Sequence, residues 1–373
     1  MQLLSSISLQ NFEHRLLTSL LDIASNLNIQ SNFCISHPKY KPLKLPEEAV
    51  VRFQQLPLKL QHKFLSSQLC NFLYGIYYNG AGKKALSLDI NLMDSTMPNN
   101  LENNTYFGVD VEFYEQLHLS NKGRGYFDPG WQVLREESDR SVVVKKAGLT
   151  LYIERDRHLR DREKNAIAGD MVAVQMPRNL VQNGFYMAVG DAGLSSSADH
   201  AINLQLVRVY FNLSSEGAVA VMSSLTQQLN TRYIPFTFKA LYNPSDYDRY
   251  DTAVLYFEKP QYSVIKEVLQ DIYFNYKSYF REAIPLFTKL LAPGLAIAEE
   301  PDNKFSEQES FGLNRCQIVT NALLEAWQQQ DESRENRLAL ILKQFALHGI
   351  NLKPPYLNFN SQDIYTPIFL CSI

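Results

Sequence analysis

The sequence predicts an α+β protein in which a helical N-terminal part packs on a mainly antiparallel, strongly bent sheet. The main observation is the stretch 204–257, which opens with an alternating run at 206–213. Such alternation is typical of a strand with one apolar and one polar face. Apolar residues then recur at helical spacing over 218–229, and two strand patterns follow at 236–241 and 253–257. We arrange the rest of the chain around this unit.

Residues 1–104 are predicted to form a helical packing region. An apolar stripe runs through 12–23, Pro46 and two glutamates open a further helix, and an apolar face follows at 64–76. The polar loop at 89–104 is the best candidate for a domain boundary. Docking of a peptide on these helices is the alternative role for the region.

Residues 105–300 form the predicted α+β domain, and residues 301–373 form a C-terminal helical region that packs on the sheet. Besides the central unit, strand patterns occur at 130–135, 142–146, 149–153, 171–177 and 185–190. Further helices are expected at 262–281, 315–330 and 338–347.

The composition is that of a globular protein with room for a substantial core. The chain has 373 residues, of which 45% are hydrophobic and 20% charged, and its net charge is −3. This charge argues against general nucleic-acid binding, which favours a basic surplus. No apolar run reaches the length of a membrane span, and no signal peptide is evident. We therefore expect a cytoplasmic protein with neither a nucleic-acid nor a membrane partner.

The cysteines and histidines give no sign of a metal site. Cys34, Cys70, Cys316 and Cys371 are scattered without a CxxC pair, which suits buried, reduced thiols. The histidines are equally dispersed, and the chain lacks Walker and GxGxxG patterns. We expect no metal and no cofactor.

Four basic residues stand at unusual positions. Arg208 and Lys239 lie inside strand patterns, and Arg249 lies in the loop before the last strand of the central unit. Each alone is expected to point to water, but together they could converge on an anion, which arginine binds as a fork. Arg315 opens a predicted helix after Ser310-Phe311-Gly312, where free N–H groups could also bind an anion. A capped helix with a buried Cys316 is the equal alternative.

Several motifs carry a resemblance to the HopA-type effector family of plant-pathogenic bacteria. They cover roughly the last two thirds of the chain and are specific as a set. The motifs are Gly169-Asp170 with the following strand, 208–212, 235–239, 247–251, 292–294, 299–301, 310–312 and Arg315-Cys316.

This resemblance implies an activity. Similar proteins are the lyase component of class V lanthipeptide biosynthesis, where they act beside a separate kinase-like protein. They eliminate phosphate from phosphorylated Ser or Thr of a precursor peptide and leave dehydroalanine or dehydrobutyrine. The order of motifs from Phe236 to Arg249 also looks like the lyase domains of other lanthipeptide synthetases, and through them like the phosphothreonine lyases. The expected fold is therefore similar to that of phosphothreonine lyase-like domains.

The implied reaction assigns roles to particular residues. Lys239 is the candidate base that takes the α-proton, and neighbouring cations would favour its neutral form. Lys146 is the candidate stabiliser of the enolate, with Lys145 as the fallback. The predicted phosphate ligands are Arg208, Arg249 and Arg315.

The general acid departs from the pattern of the phosphothreonine lyases. Those enzymes place a Lys and a His two residues apart on one strand, and the corresponding place here, Thr150-Leu151-Tyr152, has neither. Tyr152 or His158 would then supply the acid, unless cations alone assist the leaving group. For His158, a structural or exposed role is the alternative.

The rival hypothesis is a non-catalytic module of the same family that holds a peptide or protein partner. The two hypotheses differ in geometry. The lyase predicts that Lys239, Arg208 and Arg249 converge in one cleft, whereas the binding module predicts an apolar groove without converging cations.

Overall fold

The computed structural model describes residues 2–88, 105–106, 108–194 and 205–368, without the side chains of 2–13, 105, 106 and 181. The predicted boundary loop at 89–104 and Cys371 lie outside these ranges. None of the helices in the described ranges is long and apolar enough to cross a membrane.

The N-terminal region is mainly helical, as predicted, and it also holds a small sheet. The sheet is antiparallel, and the segment around Pro38 and Pro42 supplies two of its three strands. The elements are α1 (Gln2–Asn26), β1 (Asn28–Ile29), β2 (Ile35–His37), β3 (Tyr40–Leu43), α2 (Glu47–Gln54), α3 (Leu58–Leu73), a π-helical turn (Tyr74–Tyr78) and α4 (Ala81–Ala85).

Two short strands and a helix lead into a separate four-stranded antiparallel sheet with the order β8-β7-β6-β9. This sheet has its own small core, built on Trp131, Val133, Val144 and Val172. The elements are β4 (Thr105–Tyr106), β5 (Val109–Asp110), α5 (Val111–Ser120), β6 (Tyr126–Glu136), β7 (Val142–Lys146), β8 (Leu149–Ile153), α6 (Arg155–His158) and β9 (Met171–Met176).

The largest element is a seven-stranded sheet with the order β10-β11-β13-β14-β12-β16-β15. Every pairing in it is antiparallel, which confirms the predicted α+β class with antiparallel sheets. Its strands are β10 (Asn179–Gln182), β11 (Phe185–Val189), β12 (Leu206–Phe211), β13 (Thr237–Leu241), β14 (Ala253–Glu258), β15 (Lys289–Ala292) and β16 (Leu295–Glu299).

Four helices accompany this sheet, and local signals explain two of their starts. The Ser214 side chain accepts a hydrogen bond from the Gly217 N–H, and Ser310 accepts one from the Leu313 N–H. Both are N-caps that satisfy free donors of the first turn. The helices are α7 (Ser215–Thr231), α8 (Tyr262–Tyr276), α9 (Phe311–Gln328) and α10 (Arg334–Leu347).

The expectation of a polar face on the strand at 206–213 is wrong. In β12, every residue from Val207 to Phe211 is buried, including Arg208 and Tyr210. The reason is position: β12 lies between β14 and β16, and the rings of Tyr78 and Phe311 cover Tyr210.

One large core joins residues from all three predicted ranges, including Leu69, Phe238 and Ile318. Helix α3 packs on α9, and α7 packs on β13. The structure thus holds one extended core and one satellite core under the four-stranded sheet.

Candidate functional site

One part of the seven-stranded sheet is half-exposed. Along β13, buried Phe238 and Ala240 alternate with half-buried Thr237 and Lys239, and β11 and β14 show half-buried residues at matching positions. Opposite residues of paired strands point to the same face. We call this surface the open patch, made of Phe185, Met187, Thr237, Lys239 and Tyr256.

Lys239 lies between two aromatic rings of the open patch. Its Nζ is 4.4 Å from the ring centre of Phe185 and 5.4 Å from that of Tyr256. Such distances allow cation–π attraction. Within the described part of the chain, Lys239 has no carboxylate partner. Its amine is therefore available to a ligand.

Arg208 reaches the same ring from the neighbouring strand. Arg208 is the direct partner of Tyr256 across β12 and β14, and its Cζ lies 5.0 Å from the Tyr256 ring centre. Tyr256 is in turn opposite Thr237 on β13, and Lys239 lies two residues after Thr237 on the same strand. Residues two apart on a strand point to the same face, so Arg208 and Lys239 share one face of the sheet. Tyr256 is the contact that the two cations share.

Arg208 is tied to an acidic partner at the margin of the open patch. Its Nε donates to Glu300, whose other carboxylate oxygen accepts from Lys304 Nζ at 2.5 Å. Burial by itself would raise the pKa of Glu300, but the charge of Arg208 and the hydrogen bonds from Arg208 and Lys304 lower it. Arg208 is only 9% exposed, so any ligand meets the edge of its guanidinium.

Arg249 does not join the open patch. Its Nε and terminal nitrogen donate to both carboxylate oxygens of Asp251, at 2.5 and 2.9 Å. The Tyr74 hydroxyl donates to the same carboxylate at 3.4 Å. Burial alone would lower the pKa of Arg249, but the charge of Asp251 raises it. The predicted role of Arg249 in the cleft therefore has no geometric support, because its fork is already used.

Arg315 has a structural role in the fold. The helix begins at Phe311, so Arg315 lies inside α9 and not at its N-terminus. The side chain is 1% exposed and donates to the carbonyls of Pro355 and Leu357, at 2.9 and 3.3 Å, and to Asn314. These bonds hold the C-terminal segment, and they leave Arg315 inaccessible to phosphate.

The candidate enolate stabilisers lie on the other sheet. Lys146 and Lys145 are on β7, and Lys146 Nζ donates to Asp128 at 2.7 Å and to the Pro129 carbonyl at 2.8 Å. Lys145 is exposed. Neither lysine is in the sheet that carries Lys239, because 142–146 pairs with β6 and β8.

The candidate acids share this separate location. Tyr152 on β8 is 67% exposed, and its hydroxyl accepts from Arg135 at 3.5 Å. His158 ends α6, and its Nδ1 accepts from the Glu154 N–H at 3.1 Å. The structure does not place either residue in the open patch.

Sequence reasoning missed three residues that shape the site, namely Phe185, Tyr256 and Glu300. The register could have indicated Tyr256, since it is the partner of Arg208, but a register needs strand pairing that one sequence does not supply. Glu300 stands in the quoted motif 299–301 without an assigned role. Its neighbour Glu299 points to the other face, where it accepts from Lys259 at 2.7 Å and from the Tyr365 hydroxyl at 2.9 Å.

No metal centre accompanies the site in the ranges that the structure covers, since no group of three or more His, Cys, Asp and Glu side chains is placed to hold an ion.

Comparisons with known proteins relate this region to bacterial effectors. No curated protein matches the chain. Among solved structures, it is similar to an effector protein from Pseudomonas syringae pv. tomato at 15% identity and to one from Pseudomonas syringae pv. syringae at 14%. Each comparison covers 67% of this chain and 81% of the effector, with a TM-score of 0.39. Residues 176–357, which include every residue of the open patch, match the HopA1 effector protein family.

Proposed function

We propose that the protein is a phospho-Ser/Thr lyase that acts at the open patch on a phosphorylated precursor peptide. The observation that carries the proposal is the Lys239 amine, which lies on two aromatic rings without a carboxylate partner in the described chain, on the same face as Arg208. A general base must have its proton-accepting atom within reach of the substrate, and the Lys239 amine is not engaged by a carboxylate of the described residues.

The reaction balances with groups of the open patch and the substrate. In the proposed step, the Lys239 amine takes the α-proton of the phosphorylated residue and becomes an ammonium. The electron pair of that C–H bond forms the double bond between the α and β carbons, and the bond from the β carbon to the phosphate oxygen breaks. Phosphate leaves with that electron pair and takes up a proton from solvent water, Lys239 returns its extra proton to solvent, and dehydroalanine or dehydrobutyrine remains in the peptide.

Arg208 would attract the dianionic phosphate toward Lys239. Since Lys146, Tyr152 and His158 lie in the four-stranded sheet, the proposed step uses no acid from that sheet. Assistance by cations alone is the alternative that fits the open patch. The phosphorylated residue would come from a separate kinase-like protein.

A non-catalytic peptide-binding module is the second candidate. It is favoured by the ion pair of Arg208 with Glu300 and by the location of the candidate acids and enolate stabilisers in another sheet. In this candidate, Phe185, Met187 and Tyr256 would contact apolar side chains of a partner, and Lys239 would bind an anionic one.

The two candidates differ in one assay. A Ser/Thr phosphopeptide is incubated with the protein, loss of phosphoric acid is followed by mass spectrometry, and binding is followed by fluorescence anisotropy. We expect Lys239→Ala to reduce elimination by roughly 10²–10⁴-fold, the usual contribution of a general base. Lys239→Arg is the matched control, because it keeps the cation and should keep binding while elimination is lost. Unchanged elimination by Lys239→Ala would exclude Lys239 as the base, and binding without elimination by the wild type would favour the second candidate.

A further inference from the structure

A second concave site lies away from the open patch, between α1, the π-helical turn and the segment 282–290. This α1 cavity has a volume of about 630 Å³, within the usual range of small-molecule sites. It shares no lining residue with the open patch. Both polar and apolar side chains line it, so its chemistry can be inferred from them.

The cavity contains a guanidinium that no carboxylate neutralises. The terminal nitrogens of Arg15 donate to the carbonyls of Ile284 and Pro285, each at 2.9 Å. No carboxylate of a described residue forms an ion pair with it. Burial lowers the pKa of Arg15 to about 10. A partly buried cation with unused N–H donors favours an anion in the space beside it.

The nearest lining carboxylate on α1 already has its own partners. Asp22 accepts hydrogen bonds from Asn26 at 2.7 Å and from the Tyr77 hydroxyl at 2.9 Å. It also faces His37 at 3.4 Å and Lys39 at 3.6 Å. Asp22 therefore holds the wall of the cavity together and does not offset the charge of Arg15.

Lys83 is a further cation among the lining residues. Lys83 is exposed and donates to the Tyr250 hydroxyl at 3.0 Å. Glu282 is exposed, and the three lining cations Arg15, Lys39 and Lys83 therefore face two lining carboxylates, Asp22 and Glu282. Because Asp22 pairs with Lys39, Arg15 and Lys83 are matched by a single remaining lining carboxylate, Glu282.

Apart from the hydroxyl side chains of Thr18 and Ser19, the remaining lining is apolar or aromatic and includes Tyr40, Ile76, Leu286 and Leu290. Inorganic phosphate alone would leave this surface in contact with water. A ligand with an apolar group would bury it and gain about 25 cal/mol for each Å² removed from water.

From these contacts we infer that the α1 cavity binds a small organic anion. Its carboxylate or phosphate ester group lies at Arg15 and Lys83, and its aromatic or aliphatic group lies against Ile76, Leu286 and Tyr40. This site is independent of the proposed lyase activity.

The test is a calorimetric titration of the full chain with phenyl phosphate, beside inorganic phosphate and phenol. We expect phenyl phosphate to bind more tightly than either of the other two. Arg15→Gln should weaken binding about tenfold or more, since a hydrogen bond to a charged group is lost. Lys83→Gln should weaken it severalfold, and the exposed Lys63, which does not line the cavity, gives the control Lys63→Gln with unchanged binding.

Two further variants keep the test decisive. If Arg15→Gln unfolds by circular dichroism, the charge reversal Lys83→Glu, at an exposed side chain, should abolish binding on its own. Lys239→Ala separates the two sites, because it should leave phenyl phosphate binding intact. The inference is overturned if no binding occurs, if phenol binds as well as phenyl phosphate, if the Lys83 variants bind like the wild type, or if only Lys239→Ala loses binding.

Discussion

The seven-stranded and four-stranded sheets are both antiparallel, yet arginine side chains on their strands differ in their exposure to solvent. In the four-stranded sheet, Arg135 is 57% exposed and pairs with Glu137 at the surface. In the seven-stranded sheet, Arg208 is 9% exposed and pairs with Glu300 at the margin of the open patch. The same residue type in the same kind of strand is therefore a surface group in one sheet and a buried ion pair in the other.

The difference follows from what covers each sheet. Tyr78 and Phe311 cover β12, so a cation on that strand must find a partner away from water. Near the edge of this cover, Lys239 remains half-exposed and meets rings instead of a carboxylate. Lys239 thus lies where a covered part of the sheet meets an open part, and its amine contacts the rings of Phe185 and Tyr256.

The largest expected difference between the two sheets is in core stability. Phe238 is 0% exposed and packs on Phe211 with ring centres 5.5 Å apart. Phe238→Ala should lower the free energy of unfolding by roughly 3–5 kcal/mol, because it leaves a cavity in the main core. Ile153→Val in the satellite core should cost only about 0.5–1.5 kcal/mol. Urea unfolding measures both free energies, and a loss for Phe238→Ala no larger than that for Ile153→Val would contradict the full burial of Phe238 in the main core.

The next effect concerns the ion pairs. Glu300→Ala leaves the buried guanidinium of Arg208 without its carboxylate. It should lower the free energy of unfolding by roughly 3 kcal/mol at pH 7. The pKa of Glu300 is lowered by folding, so its contribution is complete above the ordinary glutamate pKa of 4.5 and is lost as the pH falls through the lower folded value. The difference in the free energy of unfolding between the wild type and Glu300→Ala should therefore become smaller below about pH 4.5.

Glu137→Ala is the matched control for this pair, because its partner Arg135 is exposed. We expect no measurable change in urea unfolding at pH 7 or below. If Glu300→Ala also left the free energy of unfolding unchanged, the ion pair of Arg208 and Glu300 would have to be accessible to water.

The smallest effect is expected at Lys146. Its Nζ pairs with Asp128 at 2.7 Å on a side chain that is 35% exposed, so Lys146→Met should cost less than about 1 kcal/mol. Elimination of phosphate, measured by mass spectrometry, should be unchanged, because Lys146 belongs to the other sheet. If this variant lost elimination, the four-stranded sheet would take part in the reaction and Lys146 would again be the candidate enolate stabiliser.

Local patterns predicted much of the fold. The alternating run at 206–213, the helix after Ser214 and the strands at 236–241 and 253–257 are all observed close to their predicted bounds. These elements depend on side-chain periodicity and on a cap, which are properties of consecutive residues. The sequence also allowed the prediction that Lys239 and Arg208 lie on one face, because both residues stand in strand patterns of the stretch 204–257.

The hydrogen-bond partners of Arg249 and Arg315 could not be predicted from local patterns. Asp251 follows Arg249 by two residues, yet only the folded loop shows that both carboxylate oxygens accept from it. Arg315 donates to carbonyls some forty residues further along the chain. Partners at such separations depend on how the C-terminal segment packs against α9.

The sequence by itself therefore determined the α+β class, most of the longer helices and strands, and the choice of Lys239 and Arg208 as unusual cations. Only the tertiary structure decided which cations are neutralised, that Tyr256 joins Lys239 to Arg208, and that Lys146, Tyr152 and His158 lie in a different sheet. The physical reason is that periodicity acts over a few residues, whereas charge compensation and burial depend on strand pairing and packing between segments far apart in the chain.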